Sequence, residues 1–125
     1  MSKPGPHMVC LVDDDDAVRR GLALLLRTAG FAVVTFPSAE DCLRSADAHA
    51  PDCLVVDIQL GGLSGFELHE RLVAGGVSIP TIFITGHHDV VTRERARHVG
   101  AAGYLRKPFD GQTLISAIED ALHPV

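Results

Sequence analysis

Five side chains, Asp13, Asp14, Asp57, Thr85 and Lys107, form a set with a definite chemistry if the fold brings them to one place. Three carboxylates held close together repel, so their charged forms are disfavoured unless a cation sits among them. No His or Cys stands at metal-ligand spacing beside them. Hard oxygen donors then point to Mg²⁺, which takes one or two carboxylates and keeps waters and phosphate oxygens. A hydroxyl and an ammonium suit the equatorial oxygens of a phosphoryl group. A carboxylate can form an acyl phosphate, which makes Asp57 the natural nucleophile. Taken singly, each residue has an ordinary role. Asp57 is a loop residue or helix cap, Asp13 to Asp16 a capping cluster, Thr85 a strand end and Lys107 a solvated lysine.

Short apolar runs must position these residues. Cys53–Leu54–Val55–Val56 leads directly into Asp57; it is too short for a globular helix and has two β-branched residues, so it is expected to be a buried strand. Met8–Val12 ends in four aspartates, Phe31–Phe36 ends at Pro37, Thr81–Ile84 ends in Thr85–Gly86, and Ala101–Leu105 precedes Lys107–Pro108. Helical patterns separate the runs. Val18, Leu22, Leu25, Leu26 and Ala29 share one face, with Asp15 and Asp16 before the helix and Gly30 closing it. Ser38 is the expected cap of a helix reaching about Asp47, and Ser64–Gly65–Phe66–Glu67 has the form of a capping box, its helix ending at Gly75–Gly76. Asp89 is expected to cap a helix with a thin stripe of Val90, Val91, Ala96 and Val99, the least buried of the set, which stops at Gly100. Asp110 precedes a last helix carrying Leu114, Ile115, Ile118, Ala121 and Leu122.

Strands alternating with helices predict an α/β fold, (βα)5, with a parallel sheet and helices on both faces. In the flavodoxin-like, doubly wound order 2-1-3-4-5, the first and third strands are neighbours. Asp13 and Asp14 then lie beside Asp57, and Thr85 and Lys107 fall on the same edge. The 125 residues, 46% of them hydrophobic, suit a single domain at 8–125 after a flexible lead-in at 1–7. A net charge of −5 argues against direct nucleic-acid binding. The opening residues lack an apolar signal core and no apolar run approaches membrane-spanning length, so no membrane association and a cytoplasmic location are expected. Cys10, Cys42 and Cys53, odd in number and without a C-x-x-C pair, are expected to be reduced core thiols.

In combination these residues resemble the receiver domain of two-component response regulators, the CheY-like family. The pieces are Leu11–Val12–Asp13–Asp14, Val55–Val56–Asp57, Leu63–Ser64–Gly65, Ile82–Phe83–Ile84–Thr85–Gly86 and Gly103–Tyr104–Leu105–Arg106–Lys107–Pro108–Phe109, and they span Val9 to Leu122. Ser38–Ala39–Glu40 and Ile84–Thr85–Gly86–His87 look most like the FixJ-type subgroup. The resemblance implies that Asp57 accepts a phosphoryl group from a histidine kinase or phosphotransfer protein. It implies Mg²⁺ held by Asp14, Asp57 and the backbone carbonyl of Gln59, with Asp13 acting through water. Thr85 and Lys107 would bind phosphoryl oxygens, and Tyr104 would turn inward as Thr85 moves. This would switch the face of the fourth helix, fifth strand and fifth helix toward an output domain or effector, or toward a homodimer, and Arg93 and Arg97 are either its contacts or a solvated basic face. The chain itself would be a signalling domain rather than an enzyme, taking part only in its own phosphorylation and dephosphorylation. A cis Lys107–Pro108 bond is a further implication.

The sequence departs from the family after Asp57. Leu60–Gly61 stands where Met-Pro is common, and Gly61–Gly62 predicts a looser loop. Gln59 and His87, each two residues past a site residue, are positioned to shade the phosphoryl group and set its hydrolysis. Three other readings remain. A haloacid-dehalogenase-like phosphatase would use Asp13 with Asp15, but leaves Asp57 without a role. A flavodoxin-like FMN binder would need a Ser, Thr and Gly-rich loop where four aspartates stand. A receiver-like interaction module that is not phosphorylated would not need the intact set.

Overall fold

The aliphatic runs become strands and the amphipathic segments pack against them. The computed structural model describes residues 5–45 and 51–123. Strand and helix alternate as β1 (Met8–Val12), α1 (Asp16–Thr28), β2 (Ala32–Phe36), α2 (Ala39–Arg44), β3 (Cys53–Asp57), α3 (Gly65–Ala74), β4 (Thr81–Thr85), α4 (Val90–His98), β5 (Gly103–Arg106) and α5 (Gly111–Leu122). The five strands form one parallel sheet in the order 2-1-3-4-5. Every residue of β3 and β4 is buried, as expected of parallel strands covered on both faces.

Strand alternation divides the core in two. Val9, Leu11, Cys53, Val55, Ile82 and Ile84 face α1 and α5, meeting Leu26, Leu114 and Ile118. Cys10, Val12, Leu54, Val56 and Phe83 face α2, α3 and α4, meeting Cys42, Phe66, Leu68, Leu72 and Ala96. Cys10, Cys42 and Cys53 are free and buried. Burial pushes the Cys53 thiol up to about 12, which keeps it protonated at neutral pH.

Five of the expected caps are in place. Asp15 accepts from the Val18 N–H, Ser38 from Asp41, Asp89 from Thr92 and Asp110 from Gln112, and Ser64 with Glu67 completes the reciprocal capping box. Several details differ from expectation. Helix α2 gives way at Ser45, which is already extended, and Asp47 lies outside the described residues. Strand β5 begins at Gly103, which pairs with Ile82, so Ala101 and Ala102 belong to the approach and not to the strand. The apolar stripe of α4 is thinner still than expected: Val90 and Val91 are 73% and 78% exposed, and Ala96 alone is buried. Of the expected lead-in, residues 1–4 lie outside the description, while the His7 carbonyl already accepts from the Ala32 N–H.

Candidate functional site

The register fixes the site. Val12 pairs with Val56, so Asp13 follows β1 beside Asp57 at the end of β3. Asp57 pairs with Ile84, one residue before Thr85, and Thr85 with Arg106, one residue before Lys107. The Lys107 N–H donates to the Thr85 carbonyl at 2.7 Å, and the Lys107–Pro108 bond is cis. The five residues singled out from the sequence thus gather on one edge of the sheet.

Asp13 and Asp57 are only 1% and 5% exposed. The Lys107 Nζ bridges them, donating to Asp57 Oδ2 at 2.7 Å and Asp13 Oδ2 at 3.0 Å. Backbone amides take the other oxygens: Asp13 Oδ1 accepts from the Asp15 N–H at 2.9 Å, and Asp57 Oδ1 from the Gln59 N–H at 2.8 Å. Asp14 is exposed, and its carboxylate together with those of Asp13 and Asp57 offers oxygens that all lie within 4.8 Å of one another. One ammonium faces three carboxylates, so the pocket keeps a negative excess. Burial raises the Asp57 carboxyl above its ordinary value; Lys107 and the Gln59 amide oppose this without cancelling it, and the charge of Asp13 adds to it. Burial also works against the Lys107 charge, but its hydrogen bonds to Asp57 and Asp13 prevail and hold it above its ordinary value. The asymmetry has a simple source, since Lys107 gains two anions whereas Asp57 shares one cation. A small hard cation fits this all-oxygen set, which has one solvent-open carboxylate and free lone pairs on the buried two.

Thr85 is fully buried, and its hydroxyl is already engaged. It lies 2.8 Å from Gln59 Oε1 and 3.0 Å from the His87 carbonyl, and accepts from the His87 N–H at 3.0 Å. A hydroxyl has one proton, so it donates to Gln59 or to His87, one at a time. Tyr104 is half-buried, with its hydroxyl 3.0 Å from His88 Nδ1 and its ring 5.7 Å from the His88 ring. Burial, with Asp89 nearby, raises its phenol above the ordinary value.

The loop after Asp57 is tied, contrary to the slack expected of Gly61–Gly62. The Gln59 amide donates to Asp57, Gly62 to the Leu60 carbonyl, Leu63 to Glu40 Oε2, Ser64 to Glu67 and Gly65 to the Ile58 carbonyl. Two residues here were named from the sequence only as parts of family motifs and a cap, without these contacts. Glu40 comes from α2, and no local spacing signals its reach to Leu63. Gly65 opens α3 against the Asp57 backbone, where a Cβ would lie 2.5 Å from the Asp57 carbonyl oxygen and 3.1 Å from Ile58 Cα. The neighbours are main chain and cannot rotate away. Gly65→Ala is therefore expected to cost about 2 kcal/mol by overpacking, read as a lower urea midpoint with an unchanged slope.

Comparisons with known proteins agree with this geometry. The family described as "Response regulator receiver domain" matches residues 9–119. Nodulation protein W of Bradyrhizobium diazoefficiens is 42% identical over 111 residues, covering 89% of this chain and 49% of that protein. The transcriptional regulatory protein FixJ of Azorhizobium caulinodans is 41% identical over 114 residues, covering 91% of this chain and 54% of that protein. The chain thus spans about half the length of these curated relatives. Among solved structures, FixJ-N superposes with a TM-score of 0.87 at 38% identity, covering 100% of this chain and 98% of that one. The response regulator StyR does so with a TM-score of 0.85 at 45% identity, covering 94% of this chain and 60% of that one. The acidic edge, the strand order and these matches lead to one assignment: the chain belongs to the response regulator receiver domain family of two-component signalling.

Proposed function

We propose that Asp57 is the phosphoacceptor. A carboxylate oxygen of Asp57 attacks the phosphorus of a phosphohistidine on a kinase or phosphotransfer protein. The O–P bond forms as the N–P bond breaks, and the imidazole leaves with a proton from solvent. The observation that carries this reading is the Lys107 bridge between Asp13 and Asp57, which sets an ammonium beside the reacting carboxylate. As the acyl phosphate forms, Lys107 transfers its hydrogen bond from Asp57 to a phosphoryl oxygen. Asp14, Asp57 and the Gln59 carbonyl, with Asp13 through water, would hold Mg²⁺, which supplies positive charge to the phosphoryl oxygens. Thr85 leaves Gln59 for a second phosphoryl oxygen, and Tyr104 leaves His88 for the space behind it. The phosphoryl group adds about −1.5 to −2 charges and three acceptors, enough to bias α4, β5 and α5 between two arrangements.

On this reading the domain runs from residue 8 onward and acts in the cytoplasm. Its partners are a histidine kinase or phosphotransfer protein and an output domain or effector, with a second copy as a further partner on activation. Among the described residues no helix is long and apolar enough to cross a membrane. The phosphatase alternative is not favoured, because its second aspartate, Asp15, caps α1 by accepting from the Val18 N–H.

Incubation with Mg²⁺ and acetyl phosphate is expected to give an acid-stable, base-labile adduct on the peptide containing Asp57. Hydrolysis of phosphate esters dependent on Asp13, or no adduct at all, would overturn the reading. Gln59 shades the site from water in this scheme. Gln59→Ala is expected to shorten the adduct lifetime on the order of threefold, a barrier change of about 0.65 kcal/mol, in a chase after removal of the donor.

A further inference from the structure

The Glu40 side chain leaves the first turn of α2 and crosses to the loop that follows Asp57. Its Oε2 accepts the Leu63 N–H at 3.3 Å. This is the one hydrogen bond, among the described residues, that ties the backbone from Gly61 to Leu63 to a different helix. Gly62 makes room for it. Its φ is +150°, and a Cβ there would lie 2.5 Å from Glu40 Oε2 and 3.2 Å from Cδ. The carboxylate therefore rests on bare backbone. On the other side of the same corner, a Cβ on Gly61 would lie 3.9 Å from Asp14 Oδ2. The Gly61–Leu63 corner thus lies between Glu40 of α2, which it bonds, and Asp14 of the acidic cluster, which it borders. Glu40 Oε1 is buried and accepts no hydrogen bond among the described residues. Burying a carboxylate oxygen in this way is costly, a cost the fold meets where Glu40 bonds Leu63.

We propose that Glu40 is a positioning residue for the Mg²⁺ and phosphoryl site: its hydrogen bond to Leu63 across Gly62 fixes the loop that carries Gln59 and borders Asp14. The inference rests on the acidic cluster being the Mg²⁺ site. It predicts an effect of geometry, separable from an effect of charge. Glu40→Gln keeps the acceptor and loses the charge, whereas Glu40→Asp keeps the charge and falls short of Leu63.

The test follows amide signals by NMR in the whole chain, measuring Leu63 hydrogen exchange without metal and the Mg²⁺ dissociation constant by titration. Glu40→Asp and Glu40→Ala are expected to speed Leu63 exchange and weaken Mg²⁺ about tenfold, the low end for a residue supporting a metal ligand, with Glu40→Gln within about twofold of the parent. Unchanged Mg²⁺ affinity in Glu40→Asp would overturn the role, as would equal losses in Glu40→Gln and Glu40→Ala. A parent protein in which Mg²⁺ leaves the signals of Asp13, Asp14 and Asp57 unmoved would overturn the site itself. Slow Leu63 exchange in that parent would still report the Glu40 tie.

Discussion

Asp57→Asn is expected to abolish the acyl-phosphate adduct and, at neutral pH, to make the protein more stable. The first effect follows from removing the nucleophile, because an amide oxygen does not form the acyl phosphate. The second follows from the charge imbalance of the pocket. Asp57 is buried, and its carboxyl lies above its ordinary value of 3.8, so its ionised form is held at a cost. Asparagine keeps an oxygen for the Lys107 ammonium and leaves that ammonium its bond to Asp13. The gain is on the order of 1 kcal/mol, the size of a typical single-substitution effect. Its pH dependence has a definite sign. A group raised in the folded state contributes stability that is fully present below its unfolded value and is lost as pH rises through the folded value. The gap between parent and variant should close as pH falls toward 3.8. Urea denaturation from pH 4 to 7 measures this, and a variant less stable than the parent at pH 7 would contradict the account. Mg²⁺ should stabilise the parent more than the variant, since it offsets the same excess charge.

Lys107→Ala works in the opposite direction and with larger energetic effect. It leaves Asp13 and Asp57 buried side by side with no cation between them. Breaking a buried pair costs about 3–5 kcal/mol, and the lower value applies here because the lysine side chain is 25% exposed. The loss should shrink as pH falls, because protonating Asp57 removes one of the two opposed charges. It should shrink again on adding Mg²⁺. At high pH the parent must also lose this stability, since Lys107 is held above 10.5 and its contribution disappears as pH rises through that raised value. The variant lacks this leg of the curve. Phosphorylation by acetyl phosphate should slow roughly 100-fold, about 2.7 kcal/mol, for loss of an ammonium that meets charge developing on the phosphoryl oxygens. A variant as stable as the parent across this range would show that the pair contributes nothing.

What was legible in the sequence was whatever repeats locally. The five strand-ending residues and the five caps follow from runs, periods and turn chemistry within a few residues. The strand order then placed Asp13, Asp14, Asp57, Thr85 and Lys107 on one edge, as the register shows. What was hidden depends on contacts between distant segments. Nothing near Glu40 signals that its carboxylate will meet Leu63, and nothing near Gly65 signals that the Asp57 carbonyl will lie against it. The glycine pair invited a reading of slack from composition, although most of the loop amides are bonded. The resting partners of Thr85 and Tyr104, namely Gln59 and His88, likewise depend on rotamers that no pattern encodes.

Helix α4 lies between Thr85 and Tyr104 in the chain, and Ala96 is its only buried residue. One small methyl group, with exposed Arg95 lying over the Phe66 ring at 4.5 Å and paired to Glu70, holds little free energy. The helix therefore has a shallow well beside the deep one occupied by β3 and β4. A ratio of states moves tenfold for each 1.4 kcal/mol, so a few hydrogen bonds exchanged at the strand ends are commensurate with the whole anchoring of this helix. Amide protection should be lowest there, and the population of its alternative placements highest. On the reading proposed for Asp57, the weak packing of α4 is what lets one phosphoryl group at the strand ends shift this helix.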